Sequence, residues 1–273
     1  MKQQFKYAAL LLLFLFTFAI VTEGQVNKTT PAKDYYKSFV KEFKKPSAEF
    51  STAPFWVWNE IITKEGIDFN LKDYKSRGIE QVIIHPRPGL ITTYLTNEWF
   101  SLVKYAVDKA KSLGMKVWLY DENSYPSGFA GGEVPAQIPE TRGVMLQLIK
   151  TNDPAGIKQE IAFILKRDGE KFYETKEIKG GEENYYFVYA PSGKSSWYGG
   201  YSYVDIMQRQ TTDKFLEVTH DNYKKSIGSE FGKTVAGIFT DEPNIRTAYG
   251  SNLICYTRSE EHTSELQSLA HLV

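Results

Sequence analysis

The chain has 273 residues, 42% hydrophobic and 24% charged, with 33 basic side chains against 33 acidic ones. That length suits one α/β barrel or two smaller domains, and a formal net charge of zero excludes the basic footprint that nucleic-acid binding needs. Aromatics are abundant, with 18 Tyr, 17 Phe and 5 Trp, which suit a large core first and a sugar-binding cleft second.

Residues 1–24 read as a secretory signal peptide. Lys2 and Lys6 supply the basic start, Ala8 to Val21 is an uncharged apolar run, and Thr22, Glu23 and Gly24 follow. The run is shorter than a spanning helix needs, so no stable membrane insertion is expected after cleavage. No cysteine follows it, which excludes lipoprotein processing. Cys255 is the only cysteine, so the chain can form no internal disulfide. An exported protein of a bacterium, periplasmic or secreted, fits these features.

Residues 25–50 are polar and Lys-rich and read as a linker or arm. Phe55 to Asn59 then predicts a first strand, aromatic and β-branched after Pro54. A helix is expected from Asp68 to Arg77, closed by Gly78. Ile79 to Ile84 predicts a second strand that ends in His85-Pro86-Arg87-Pro88-Gly89. Trp99, Leu102, Val103, Ala106, Ala110 and Leu113 share one face of a helix, with Thr96 or Asn97 as cap and Gly114 as stop. Met115 to Tyr120 predicts a third strand, which runs into the long loop Asp121 to Gly132.

The rhythm breaks over residues 143–203. Ile161 to Leu165 and Tyr185 to Tyr189 alternate like antiparallel strands, and Asp168-Gly169 suits a hairpin turn. This stretch reads as a β-rich insertion. A helix follows, capped by Thr211 or Thr212 and running to Ile227, with Phe215, Leu216, Thr219, Tyr223 and Ile227 inward. A fourth strand, Val235 to Thr240, reads as buried and ends in Asp241-Glu242-Pro243.

Strands alternating with helices predict a parallel sheet. The expected fold class is α/β, an incomplete (β/α)8 TIM-type barrel of about four βα units. The catalytic part would span 51–257. A doubly wound open sheet is the runner-up, but Asn59-Glu60-Ile61-Ile62 is no phosphate-binding turn. Residues 258–273 contain Arg258-Ser259-Glu260-Glu261-His262-Thr263-Ser264-Glu265-Leu266-Gln267-Ser268, which resembles a translated sequencing adapter. They are expected to be an artefactual tail, and the native part an N-terminal fragment, insoluble or inactive alone.

The strand ends gather the polar groups. Trp58, Asn59 and Glu60 close the first, His85 and Arg87 the second, Asp121, Glu122 and Asn123 the third, and Asp241 and Glu242 the fourth. In parallel α/β folds the carboxyl ends of strands carry the chemistry. Asp241 and Glu242 are adjacent, so only one can enter the site. Glu242, longer and last, is the better candidate, and Asp241 should pair with the scaffold. Trp58 is the tryptophan best placed for stacking on a sugar. Asp121, Glu122 and Asn123 could bind hydroxyls, and calcium is the cation that such oxygens would suit. No metalloprotease, Cys-x-x-Cys or nucleophile-elbow motif is present. Carboxylates and aromatics without a cofactor motif point to glycoside hydrolysis on an oligo- or polysaccharide.

At these residues the chain resembles glycoside hydrolase family 106, the α-L-rhamnosidases. The matching stretches are Pro54 to Asn59, His85 to Leu90, Trp118 to Gly132, Tyr203-Val204-Asp205 and Gly237 to Pro243. The resemblance implies a catalytic (β/α)8 barrel, inverting hydrolysis of terminal α-L-rhamnose and a calcium ion near the sugar. It also implies Glu242 as general acid with its pKa raised in an enclosed site. Arg87, His85, Asp121 and Asn123 would hold sugar hydroxyls. A non-catalytic carbohydrate-binding protein of the cell envelope is the alternative.

Overall fold

The computed structural model describes residues 32–47, 50–177, 181, 183–248, 250 and 252–258. The apolar leader and residues 259–273 lie outside them. The chain divides into two units at Phe50 and Ser51. Within 25–50, the described residues include a helix, α1 (Ala32–Lys44).

The second unit begins with β1 (Phe55–Trp58), α2 (Lys64–Ser76), β2 (Gln81–Pro86), α3 (Asn97–Ser112) and β3 (Lys116–Tyr120). A short helix, α4 (Glu133–Gln137), precedes β4 (Val144–Thr151), β5 (Ile161–Asp168), β6 (Lys171–Thr175) and β7 (Asn184–Pro191). Two helices, α5 (Arg209–Val218) and α6 (His220–Ile227), lead to β8 (Val235–Phe239) and β9 (Leu253–Cys255).

Two sheets result. One is four-stranded, in the order β1-β2-β3-β8, and all its neighbours are parallel. The other is five-stranded and antiparallel, in the order β6-β5-β7-β4-β9. The fold is therefore mixed α/β, and the parallel sheet is not closed into a barrel. All four parallel strands end at the same edge, which fixes where their terminal polar groups lie.

Helices α2, α3 and α6 pack on one face of the parallel sheet. Alternation along β1 sends Trp56 and Trp58 into that core and leaves Phe55 and Val57 on the other face. Trp58 meets Trp56 and Trp99 edge-on, each at 5.2 Å, and Trp99 Nε1 donates to the Tyr223 hydroxyl at 3.2 Å. Helix α2 starts at Lys64, earlier than expected, because the Thr63 hydroxyl accepts from the Gly66 amide and caps it. Thr96 does the same for Trp99 at the start of α3.

The helix expected over 211–227 is two helices. Thr219 departs from helical ψ at −78°, and its hydroxyl donates to the Phe215 carbonyl at 2.6 Å, which separates α5 from α6. Neither Thr211 nor Thr212 caps α5; Gln208 holds the N-cap position without a side-chain cap. Val218 turns inward, whereas Leu216 is exposed. Strand β8 is also less enclosed than its composition suggests. Among the described residues β3 is the one strand it pairs with, and Gly237 to Phe239 are half-buried. The antiparallel sheet draws β4 to β7 from 143–203 and adds β9 from beyond β8, which pairs with β4 at Met145, Leu146 and Gln147.

Candidate active site

The polar edge of the parallel sheet is organised by Ser127. Its hydroxyl donates to Asp121 Oδ1 at 2.8 Å and accepts from the Asp241 amide at 2.8 Å. Its own amide donates to the Asp241 carbonyl at 2.7 Å. One serine on the loop after β3 thus joins the acids that end β3 and β8. Tyr120 adds a second tie, donating from its hydroxyl to Asp241 Oδ2 at 2.5 Å. Tyr203 adds a third. Its buried hydroxyl donates to the Ser127 carbonyl at 2.8 Å and accepts from the Asn244 amide at 3.1 Å.

Asp121 is buried at 1% exposure, and its Oδ2 has no partner with hydrogen-bond geometry. Burial pushes its carboxyl up to about 6, against the pull of the Ser127 and Thr240 side chains. A cavity of about 260 Å³ opens beside it, lined by Asp121, Ser127, Thr211, His220 and Thr240 among others.

Glu242 is exposed, and its backbone is left-handed at φ 44°. The enclosed setting expected for it is not built by the described residues. Asp241, half-buried and tied to Tyr120 and Ser127, is joined to the scaffold. The two adjacent acids are separated, as expected, but by the left-handed turn at Glu242 and not by strand alternation, since β8 ends at Phe239.

His85 is 2% exposed, wedged between Tyr120, stacked at 3.8 Å, and Phe55, edge-on at 4.6 Å. Neither ring nitrogen has a hydrogen-bond partner. Burial, helped by the Arg87 charge and opposed by Asp241, lowers its pKa to about 4, so the ring is neutral at pH 7. The guanidinium of Arg87 lies 5.3 Å from the Tyr125 ring centre and 6.0 Å from that of Trp197. Those two rings meet edge-to-face at 5.3 Å, and Trp197 Nε1 donates to the Tyr125 carbonyl at 2.5 Å.

Three expected site residues do not join this group. Trp58 is 1% exposed on the helical side of the sheet, so it has no open face for stacking on a sugar. Glu122 is fully buried, and its carboxylate accepts from the backbone amides of Gly128, Phe129 and Gly131. It closes the loop instead of facing solvent. Burial and the nearby Asp121 charge raise its pKa, while the three N–H groups pull the other way. Asn59 is exposed beside Gly89, whose added Cβ would lie 2.9 Å from the Asn59 carbonyl.

The acidic loop does not supply a calcium cage. Glu122 is committed to backbone donors and Asp121 Oδ1 to Ser127. Asp121 Oδ2 and Asn123 Oδ1 remain without partners, against the six to eight oxygens that calcium takes. No group of three or more metal-ligating side chains occurs among the described residues.

Sequence reasoning overlooked Tyr120, Tyr125, Ser127, Trp197 and Tyr203 as parts of this site. Tyr120 occupies an ordinary strand position. Trp197 lies 72 residues beyond Tyr125, so no local spacing links them.

The chain matches no protein-family model and no curated protein sequence. Among solved structures, it is similar to a rhamnosidase from Novosphingobium sp. PP1Y, at 20% identity and a TM-score of 0.32. The match covers 48% of this chain and 12% of that protein.

Proposed function

We propose that the chain belongs to a glycoside hydrolase of the family 106 type that acts on terminal α-L-rhamnose, with its four parallel strands part of a (β/α)8 barrel. The observation that carries this reading is the division between two adjacent acids. Asp241 is bound to Tyr120 and Ser127, while Glu242 is exposed beyond the strand end in a left-handed conformation. Non-glycine residues in that region cost about 1–3 kcal/mol and gather at functional sites.

In this reading Glu242 protonates the leaving oxygen. Asp121 lines the cavity beside the strand ends and would meet a sugar hydroxyl there, whereas Asn123 Oδ1 is buried and would have to turn outward to do so. Neutral His85 is buried between Tyr120 and Phe55, so in this reading it supports the strand end and the sugar contact falls to Arg87. Lys2, Lys6 and the apolar run to Val21 support export to the periplasm or the medium.

A second reading, a non-catalytic sugar-binding protein, draws on the half-buried Tyr125 and Trp197 rings beside Arg87, which could hold a sugar without Glu242. Hydrolysis of methyl α-L-rhamnopyranoside, whose basic leaving group needs protonation, by wild type and Glu242→Gln, with rhamnose binding followed by calorimetry, separates the two. Turnover lost in the variant with binding retained supports the hydrolase. Binding without turnover in the wild type supports the binding protein.

A further inference from the structure

Helix α1 carries an aromatic face that the proposed hydrolase does not use. At 100° per residue Tyr35, Tyr36, Phe39, Val40 and Phe43 fall within about 140° of its circumference. Tyr35 and Tyr36 are each 67% exposed, Phe39 52% and Phe43 77%. The Phe39 and Phe43 rings stack on each other at 6.0 Å, forming one continuous apolar strip. Lys37, Lys41 and Lys44 lie on the rest of the surface and are exposed. In sequence, Lys33, Lys37, Lys41, Lys44 and Lys45 outnumber Asp34 and Glu42.

An aromatic strip left in water is unfavourable, and a patch of this kind marks an interaction surface. We propose that α1 lies flat on an anionic membrane surface, with its aromatic face at headgroup depth. Charge complementarity selects this occupant, because Lys37 and Lys44 border one side of the strip and match anionic headgroups, with the single acid Glu42 on its other border. The 13 residues of α1 span about 20 Å, which suits lying in the interface and not crossing the bilayer. No helix among the described residues is long and apolar enough to cross one. Tyr and Phe suit the boundary, where the ring is buried and the Tyr hydroxyl stays wet.

The test places a polarity-sensitive fluorophore at single cysteines in the full chain with Cys255→Ser. Phe39→Cys and Phe43→Cys report the aromatic face, and Lys37→Cys and Lys41→Cys the polar face. Vesicles contain phosphatidylcholine and phosphatidylglycerol at 7:3. The expected result is a blue shift at positions 39 and 43 only, absent with pure phosphatidylcholine and reversed by 0.5 M salt. Replacing Lys37, Lys41 and Lys44 by Gln should weaken this response roughly a hundredfold in lipid concentration. Equal shifts at all four positions, or no shift with any vesicle, would overturn the proposal. A blue shift before vesicles are added would also overturn it, because the face would then be docked on protein.

Discussion

Tyr120 and Asp241 end neighbouring parallel strands, and the tyrosine hydroxyl donates to the aspartate Oδ2 at 2.5 Å. This contact holds the fourth strand end in register at the edge of the sheet, where β8 has no second neighbour among the described residues. It also commits Asp241 to the scaffold and leaves Glu242 as the acid that faces outward.

Tyr120→Phe removes the donor and leaves a half-buried carboxylate with one fewer partner. The loss should be about 1.5–3 kcal/mol, the range for a hydrogen bond to a charged group. Urea denaturation measures it. A change below about 0.5 kcal/mol would mean that Asp241 re-pairs without cost.

Ser127→Ala breaks both bonds of the linking hydroxyl. Asp121 then loses its Oδ1 donor, and the Asp241 amide loses its acceptor. A destabilisation of about 2–4 kcal/mol is expected, larger than for Tyr120→Phe, because two buried polar groups are orphaned together. Equal effects in the two variants would deny Ser127 its linking role.

Glu122→Gln tests the correction to the sequence reading. An amide presents its N–H groups to three backbone donors that need an acceptor, and a cost of about 2–4 kcal/mol follows. Rhamnose affinity of the folded fraction should stay within about twofold. A tenfold loss of affinity at unchanged stability would restore Glu122 to the binding site.

Asp121 makes stability depend on pH in a defined direction. Its folded pKa of about 6 lies above the ordinary aspartate value of 3.8, so the native state binds more protons between those values. Its contribution to stability is therefore present at low pH and is lost as pH rises through about 6. Asp121→Asn lacks this term. The stability of wild type relative to the variant should fall by about 2 kcal/mol between pH 4 and pH 7.5, as read from denaturation midpoints. Lowered His85 acts oppositely, losing stability as pH falls below about 6.5 towards 4, but it is present in both proteins and cancels in the comparison.

Much of the parallel sheet was legible because its strands and helices are local. β1, β2, β3 and β8 follow apolar runs, and α3 follows its 3.6-residue spacing. Thr96 caps α3 as expected, and the cap at Thr63 starts α2 four residues before Asp68. The hairpin between β5 and β6 lies where Asp168-Gly169 suggested, with Gly169 at φ 61°. What escaped depends on distance in the chain. Strand β9 joins β4 from over a hundred residues away, and no local pattern announces that pairing. Trp58 was misread because alternation gives two faces but not which of them meets the helices. Glu122 was misread because a carboxylate that binds backbone amides looks, in sequence, like one that binds a sugar. Gly237 shows the same limit. An added Cβ would stand 2.5 Å from the Trp118 ring, a close approach that only the β3–β8 pairing reveals.

The central claim is that Glu242 is the proton donor to the leaving group, and leaving-group dependence tests it most directly. Turnover of wild type and Glu242→Gln would be compared on methyl and 4-nitrophenyl α-L-rhamnopyranosides. A general acid matters most for the basic methoxide and least for 4-nitrophenolate. The account predicts a loss of about 10²–10⁴-fold on the methyl glycoside and a much smaller loss on the aryl one. Equal losses on both substrates, or unchanged turnover on the methyl glycoside, would contradict it.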